Sequence, residues 1–369
     1  MMTVANGITS NMLRRLGFSD RFEAESKNFP GLYVGRIIAQ YNKVYKLMSQ
    51  QGELNAEVSG KFSYEAIDLS AYPVVGDFVM IDRMSDKDGN AIISQVLRRK
   101  SVLKRKSAGT SCEGQIIASN VDTVFICMSA NNDFNIRRTE RYLSIVWDSG
   151  ATPVVVITKS DLADNLEEKL SELSSVAVGV EVLVTSAIEG NIHDAFQSHL
   201  VEGQTIALIG SSGVGKSTLI NCLLGAHAIT TRDIRDDDKG RHTTTRRELF
   251  MLDQGGMLID TPGMREIGID DADFSKSFAD IEGLAMQCRF NNCSHMNEPD
   301  CAVQGALESG ELSSERLSNY QKLKREAGYV GLNSREIEMA KINQWFDGIG
   351  ELKQARRFFK EQNAKRGRG

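Results

Sequence analysis

The sequence predicts a multidomain α/β protein: a small β-barrel near the N-terminus, a central, mostly parallel sheet covered by helices, and a C-terminal helical region built around clustered cysteines. Three observations carry this. From Gly31 to Lys106, short β-type runs (LYVGRIIAQ, KVYKLMS, VVGDFVMIDR, AIISQVL) are separated by Gly, Asp and Asn turn signals. From Asp122, apolar strands (DTVFICMSA, TPVVVITKSD, VEVLVTSA, TIALIG, GMLID) alternate with helical segments, the pattern of a parallel sheet with helices on its faces. Beyond Asp271, Cys288, Cys293 and Cys301 fall within fourteen residues around His295, followed by helix-like, charge-rich sequence.

Size and composition fit this division. At about 150 residues per domain, 369 residues suggest two or three domains. With 41% hydrophobic and 25% charged residues and only 5 Pro, most of the chain is expected to fold. The expected segments are an arm over 1–29, the barrel over 30–108, the α/β domain over 109–272 and the C-terminal region over 273–369. Lys and Arg total 44 against 49 acids, a net charge of -5, so any nucleic-acid surface has to be a local patch. No apolar run approaches the roughly 20 residues of a membrane helix, and the N-terminus lacks the apolar core of a secretion signal, so a cytoplasmic address without membrane contact is expected. In a reducing compartment, clustered cysteines favour metal over disulfides.

Within the barrel segment, RRKSVLKRK places six cations (Arg98, Arg99, Lys100, Lys104, Arg105, Lys106) in nine residues without an acid. Such a run can offset phosphate charge, which suggests RNA contact; the structural alternative is a lysine-protected strand edge.

TIALIG runs directly into Gly210-Ser211-Ser212-Gly213-Val214-Gly215-Lys216-Ser217, with Thr218 continuing into a helix. This full G-x-x-x-x-G-K-[ST] match puts backbone N–H groups around phosphate oxygens, Lys216 on the β and γ phosphates and Ser217 on Mg²⁺. Downstream, Asp260-Thr261-Pro262-Gly263 ends a short strand, where Asp260 can hold Mg²⁺ through water and the Gly263 N–H can sense the γ-phosphate. Between them lies Gly240-Arg241-His242-Thr243-Thr244-Thr245, in which a threonine hydroxyl can close on the metal; Thr244 is the first choice, with its neighbours open.

The base site is expected where VVVI runs into Thr158-Lys159-Ser160-Asp161, just past a buried strand. A carboxylate at Asp161 can accept two hydrogen bonds from guanine's N1–H and amino group, which adenine does not offer, and a wrong base would leave it unpaired. Lys159 can lie along the base, and Ser186-Ala187 can bring a backbone N–H to the base oxygen.

These motifs resemble those of the translation-factor-like GTPases, but their order is that of a circularly permuted GTPase: base reader, Ser-Ala, phosphate loop, threonine switch, Asp-Thr-Pro-Gly. Rotation keeps every strand neighbour and moves only the chain ends, so both flanking domains attach near the element that senses γ-phosphate; nucleotide state is then expected to set their orientation. Two departures bear on mechanism. Thr158 stands where the usual motif has Asn, losing an amide that bridges base and phosphate loop while keeping a hydroxyl. Met264 stands where Ras-like enzymes carry a water-orienting Gln, so slow unassisted hydrolysis is expected, with His242 either a replacement water positioner or a loop or RNA-contact residue.

Cys288-x4-Cys293-x-His295-x5-Cys301 offers the Cys₃His set of a structural, tetrahedral Zn²⁺, and the polar loop between the ligands cannot build a core without a metal. The tail from Lys353 to Arg368 carries seven cations and one acid around Phe358 and Phe359, so Arg356, Arg357 and Lys360 suit an RNA backbone with base stacking or, alternatively, a solvated helix end.

An N-terminal barrel, permuted GTPase motifs and a Cys₃His cluster together resemble the bacterial ribosome small-subunit-dependent GTPase A family over about residues 30 to 350. The resemblance implies an OB-type barrel that contacts rRNA. It also implies GTP hydrolysis to GDP stimulated by the small (30S) subunit with its 16S rRNA, and a role in late 30S maturation with release of assembly factors such as ribosome-binding factor A. A monomer is expected. The competing expectation is a zinc-dependent rRNA-binding protein with a non-catalytic guanine-nucleotide switch.

Overall fold

The computed structural model describes residues 12–41, 44–66, 68–87, 89–105, 115–131, 133–225, 247–260, 277–290, 293–296 and 298–327. Five strands, β1 (Tyr33–Tyr41), β2 (Val44–Ser49), β3 (Gly52–Val58), β4 (Phe78–Ile81) and β5 (Ala91–Val96), form a closed barrel in the order β1-β2-β3-β5-β4, with β4 returning to β1. Only β3 and β5 run parallel within it, and helix α2 (Gly60–Glu65) lies between β3 and β4 in sequence. Alternating burial along β2 reads directly from its alternating apolar positions. Helix α1 (Asp20–Ser26) buries Phe22 against Phe78, 4.6 Å between ring centroids, so the N-terminal arm packs onto the barrel.

The central sheet runs β10 (Glu181–Val184), β9 (Thr152–Thr158), β8 (Thr123–Ser129), β11 (Thr205–Gly210), β13 (Met257–Asp260), all parallel, then β12 (Glu248–Met251) antiparallel to β13. Every residue of β11 is buried, as are all but the first of β8 and β9, which explains their unbroken apolar runs: helices cover both faces. These include α3 (Ile136–Ser149), α4 (Leu166–Val176), α5 (Ile192–Phe196) and α6 (Lys216–Leu224). Helix α3 starts on Asn135, whose side chain accepts from the Arg138 N–H, and stops at Gly150 with φ 82°.

Barrel and central sheet meet in a buried seam. Strand β12 pairs with barrel strand β1 at Ala39↔Glu248, so the two sheets are continuous. Arg36 of β1, 1% exposed, donates to Leu16 O (2.5 Å), Gly76 O (3.2 Å), Asn120 O (3.4 Å) and Thr205 Oγ1 (2.9 Å), and its guanidinium stacks over Phe78. Gly76 has φ 97°, and a Cβ there would lie 2.1 Å from Ser119 O, so the close approach admits no side chain. The expected division at 108/109 lies outside the described residues, between β6 (Val102–Arg105) and β7 (Gln115–Ser119), which pair antiparallel in a two-stranded sheet.

The C-terminal region adds α7 (Ala279–Ala285), α8 (Ala302–Ser309) and α9 (Ser314–Ala327). It docks on α3 through Arg316, which bonds Glu140 (2.5 Å), Asp280 (2.6 and 2.8 Å) and Ser277 O (3.0 Å), while Asn319 donates to Glu140. Burial pushes the Glu140 carboxyl up against the opposing pull of Arg316 and Asn319. Among the described residues, no helix is long and apolar enough to cross a membrane.

Candidate functional site

The phosphate loop forms where β11 ends and α6 begins. Gly210 is paired with Cys127 of β8 at φ 142°, and a Cβ there would stand 2.3 Å from Cys127 O. Gly213 (φ 78°) faces open space and Gly215 (φ 97°) turns the chain into α6, while Val214 plugs the loop into the core. Lys216 Nζ donates to Gly210 O (2.7 Å) and to Ser211 O, placing the ammonium inside the loop. Ser212, Ser217 and Thr218 are exposed around the start of the nine-residue helix, whose N–H groups and dipole favour an anion.

The residues expected to read the base converge on this same loop. The Thr158 hydroxyl, at the buried end of β9, donates to Val214 O (2.5 Å) and Met128 O (3.4 Å). Lys159 takes up a left-handed conformation (φ 54°), and its Nζ donates to Gly213 O (2.8 Å). Ser160 opens a 3-10 turn that carries the exposed Asp161. The Ser186 hydroxyl donates to Asp161 Oδ1 (2.6 Å) and accepts from the N–H groups of Ile188 (3.2 Å) and Glu189 (3.3 Å). Next to it, Ala187 is exposed. A buried hydroxyl thus orients the carboxylate and shapes the adjoining loop.

Asp260 closes β13, directly across from Glu248 on β12. Burial raises its carboxyl above the usual range, Glu248 adds to that rise, and Lys216 opposes it. A half-buried carboxylate beside a second carboxylate, with a single lysine in opposition, is a site whose chemistry suits a divalent cation.

Sequence reasoning missed Arg138. It donates to Asp133 Oδ1 (2.7 Å) and to the Ser211 hydroxyl, tying the first turn of α3 to the phosphate loop. No local pattern in the sequence marks it, because its partner lies 73 residues away.

In the C-terminal region, Cys288, Cys293, His295 and Cys301 bring one ligand atom each within 4.8 Å of the others. Cys288 Sγ lies 3.8 Å from Cys301 Sγ, and His295 Nδ1 lies 3.7 and 3.5 Å from those two sulfurs. His295 (φ 57°) and Asp300 (φ 58°) take left-handed turns that aim the ligands inward. Burial lowers the His295 pKa, favouring the neutral imidazole that binds metals. Glu298 accepts from Ser294 N (2.7 Å), Ser294 Oγ (2.5 Å) and Met296 N (3.0 Å), knitting the loop between ligands. This set could hold a metal ion.

The basic run after the barrel is not a uniform RNA face. Arg99, with 14% of its side chain exposed, is bound to buried Asp77 (2.7 Å) and to the carbonyls of Ser70 and Tyr72 (2.7 Å each). Lys100 is paired with Asp122 (2.5 Å). Arg99 is thus engaged within the barrel and Lys100 ties the barrel to Asp122 of the central sheet, which corrects the expectation of an RNA face for these two; Arg98 and Lys104 are exposed. The backbone of Arg105 lies in β6. His242, Thr243, Thr244, Thr245, Gly263, Met264, Lys106, Arg356, Arg357 and Lys360 lie outside the described residues.

Comparison with known proteins follows the same lines. The family model described as RsgA GTPase matches residues 96–270. A protein of Lactiplantibacillus plantarum named small ribosomal subunit biogenesis GTPase RsgA 2 is 48% identical over 350 residues, covering 95% of this chain and 98% of its own length. A Listeria innocua protein named small ribosomal subunit biogenesis GTPase RsgA 1 is 41% identical, covering 90% of this chain and 95% of its own. Among solved structures, YjeQ from Thermotoga maritima superposes with a TM-score of 0.60 at 26% identity, over 80% of this chain and 98% of that one. YloQ, described as a circularly permuted GTPase, superposes with a TM-score of 0.58 at 24% identity over 80% of this chain and 95% of that one, a likeness of fold.

Proposed function

The chain belongs to the RsgA GTPase family, and from that premise we propose that it hydrolyses GTP to GDP and phosphate, slowly alone and faster on the small (30S) ribosomal subunit, during late maturation of that subunit. The observation that carries the nucleotide reading is the lock between base site and phosphate loop. Thr158 and Lys159 bond the carbonyls of Val214 and Gly213, so the base reader and the phosphate cradle form one rigid unit. Asp161, oriented by Ser186, accepts guanine's N1–H and amino group, and Lys159 lies along the base plane. The loop N–H groups from Gly213 to Ser217 and the Lys216 ammonium hold the phosphates, with Ser212 and Thr218 lining the cradle; the ammonium exchanges its loop carbonyls for β and γ oxygens. Ser217 and Asp260 are the described residues that would hold Mg²⁺, which neutralises the charge developing on the phosphates when bound. Thr244, Gly263 and His242 complete the proposed site from the segments on either side of β12 and β13.

The C-terminal cluster is proposed to carry one structural Zn²⁺. Tetrahedral bonds of about 2.3 Å to sulfur and about 2.0–2.1 Å to nitrogen separate the ligand atoms by about 3.8 Å (S···S) and about 3.5 Å (S···N). The distances of 3.8, 3.7 and 3.5 Å between Cys288, Cys301 and His295 match, and four protein ligands leave no open position for catalysis. Arg98 and Lys104 are the described cations proposed for 16S rRNA, joined by Arg105, Lys106, Arg356, Arg357 and Lys360. A cytoplasmic monomer that meets other assembly factors on the subunit is part of the same proposal.

The deciding experiment is nucleotide turnover by the purified chain, alone and with 30S subunits, using GTP and ATP, beside Lys216→Ala. Stimulation by 30S, little ATP use and loss in the variant are expected. Turnover without guanine preference or 30S stimulation would overturn the proposal in favour of a zinc-dependent rRNA-binding protein.

A further inference from the structure

A line of polar side chains crosses the continuous sheet from the barrel to the phosphate site. On β2, Lys46 pairs with Glu53 of β3 and stands in register with Ala39 of β1. Two residues on, along the same face, Tyr41 donates its hydroxyl to Glu248 Oε1 at 3.0 Å. Glu248 is also the residue by which β12 pairs with the barrel, opposite Ala39, and its other neighbour is Asp260 of β13, in direct register. Residues opposite each other on adjacent strands share a face with Cβ atoms about 4.5–5.5 Å apart. Glu248 thus stands between a barrel hydroxyl and the carboxylate assigned above to the magnesium site.

We propose that Glu248 is a positioning residue that sets how tightly the protein holds magnesium with its nucleotide, and that Tyr41 is the barrel's grip on it. A second negative charge beside Asp260 strengthens the field at the cation without needing to ligate it. The tyrosine hydroxyl fixes where that charge sits, so a ligand that shifts the barrel edge at Tyr41 changes the magnesium site through one hydrogen bond. The element that moves is β12, the strand entered from the threonine-bearing segment, so the barrel reaches the phosphate end of the site without passing through the base.

This inference rests on the assignment of Asp260 to magnesium, and the test separates the two. Release of a fluorescent GDP analogue from the full chain is measured across a Mg²⁺ titration, and the Mg²⁺ concentration for half-maximal slowing is the readout. Glu248→Gln is expected to raise that concentration about fivefold, as removal of one nearby charge from a partly buried site predicts. Glu248→Asp, which keeps the charge, recovers part of the shift. Tyr41→Phe gives a smaller shift in the same direction, about twofold, and adds nothing in the Glu248→Gln background, because one pathway carries both effects. Asp260→Asn is the reference variant. If it shifts the titration and Glu248→Gln does not, the positioning role is overturned and the magnesium assignment stands; if Asp260→Asn leaves the titration unchanged, both fall. Additive effects of Tyr41→Phe and Glu248→Gln overturn the barrel's grip. Should Glu248→Gln fail to fold, Tyr41→Phe decides alone, since it removes one oxygen, and an unchanged titration overturns the proposal.

Discussion

Replacing Arg36 by Met tests whether the barrel and the GTPase sheet are held by their seam. The substitution keeps much of the apolar volume but strands the buried carbonyls of Leu16 and Asn120, which lie 2.5 and 3.4 Å from guanidinium nitrogens, and leaves Thr205 Oγ1 without its donor at 2.9 Å, while Gly76 O keeps the Asn120 amide. Each buried acceptor left unpaired costs about 1–3 kcal/mol, so the two carbonyls alone account for about 2–6 kcal/mol. Against this stands the cost of burying the charge itself. Burial pulls the Arg36 pKa down to about 10, Asp122 and Asp77 pull it back up, and no acid forms a direct ion pair with Arg36 among those resolved between described residues. Relief of that desolvation places the expected net loss in the lower half of the range, about 2–4 kcal/mol. With a urea slope of about 3 kcal/mol/M, the unfolding midpoint should fall by about 0.7–1.3 M, read by far-UV circular dichroism. Limited proteolysis should open the chain between Leu97 and Val121, where barrel and sheet meet. A midpoint shift under about 0.3 M with unchanged proteolysis would refute the seam as a structural joint.

Three further outcomes follow from the site. Asp161→Asn should lower GDP affinity by about 100-fold or more and confer binding of xanthosine diphosphate, whose 2-oxo group suits an amide donor; isothermal titration with both nucleotides checks it, and unchanged GDP affinity would remove Asp161 from the base site. Arg98→Ala should reduce the salt dependence of RNA binding by about one phosphate contact while leaving stability intact, whereas Arg99→Ala should destabilise the chain by about 3–5 kcal/mol through stranded Asp77; filter binding across a salt series and urea unfolding separate the two. The Glu298 carboxyl, held by the Ser294 hydroxyl and the N–H groups of Ser294 and Met296, should titrate at about 2 instead of 4.5. Since the folded value is the lower one, its contribution to the metal loop is complete above about pH 4.5 and is lost as pH falls toward about 2. A carboxyl NMR titration with a midpoint near 4.5 would contradict the loop geometry.

The motifs that identify the nucleotide and metal sites were legible because each is local in sequence: eight residues of phosphate loop, four of base reader, fourteen of cysteine cluster. Their backbone needs are written in residue types, as at Gly213 and Gly215, where positive φ requires glycine. What escaped the sequence is long-range pairing. Arg36 meets Met257 across 221 residues, Arg316 meets Glu140 across 176 and Arg138 meets Ser211 across 73, and no spacing rule connects such positions. The basic run from Arg98 to Lys106 shows the converse error, since charge density in sequence says nothing about which cations already have buried partners; Arg99 and Lys100 do. Thr158 lies between these cases. The sequence showed an amide lost and a hydroxyl kept, and the structure shows that hydroxyl holding Val214 O, so the bond to the phosphate loop survives while the amide's contact to the base does not.

The seam also bears on how the flanking domains can respond to nucleotide. Rotation of the barrel against the GTPase sheet would strip Arg36 of acceptors drawn from both bodies and break the Lys100–Asp122 pair, at a cost of several kcal/mol. Strand β12 bonds the barrel at the Ala39 pairing and through Tyr41–Glu248, and it is laddered to β13 at four positions, so it links the barrel edge to the strand that carries Asp260. On the opposite side, the first turns of α3 place Arg138 on the phosphate loop and Glu140 on Arg316 of the C-terminal region, two residues apart on one helix. Each flanking domain therefore contacts an element that borders the phosphates. Circular permutation favours this arrangement: moving the chain ends leaves the central sheet intact, joins the barrel through the β6–β7 pairing to β8, and lets the cysteine-rich region follow the segment after Asp260. The contacts that join the flanking domains to these phosphate-bordering elements are thus single side chains on β12 and α3.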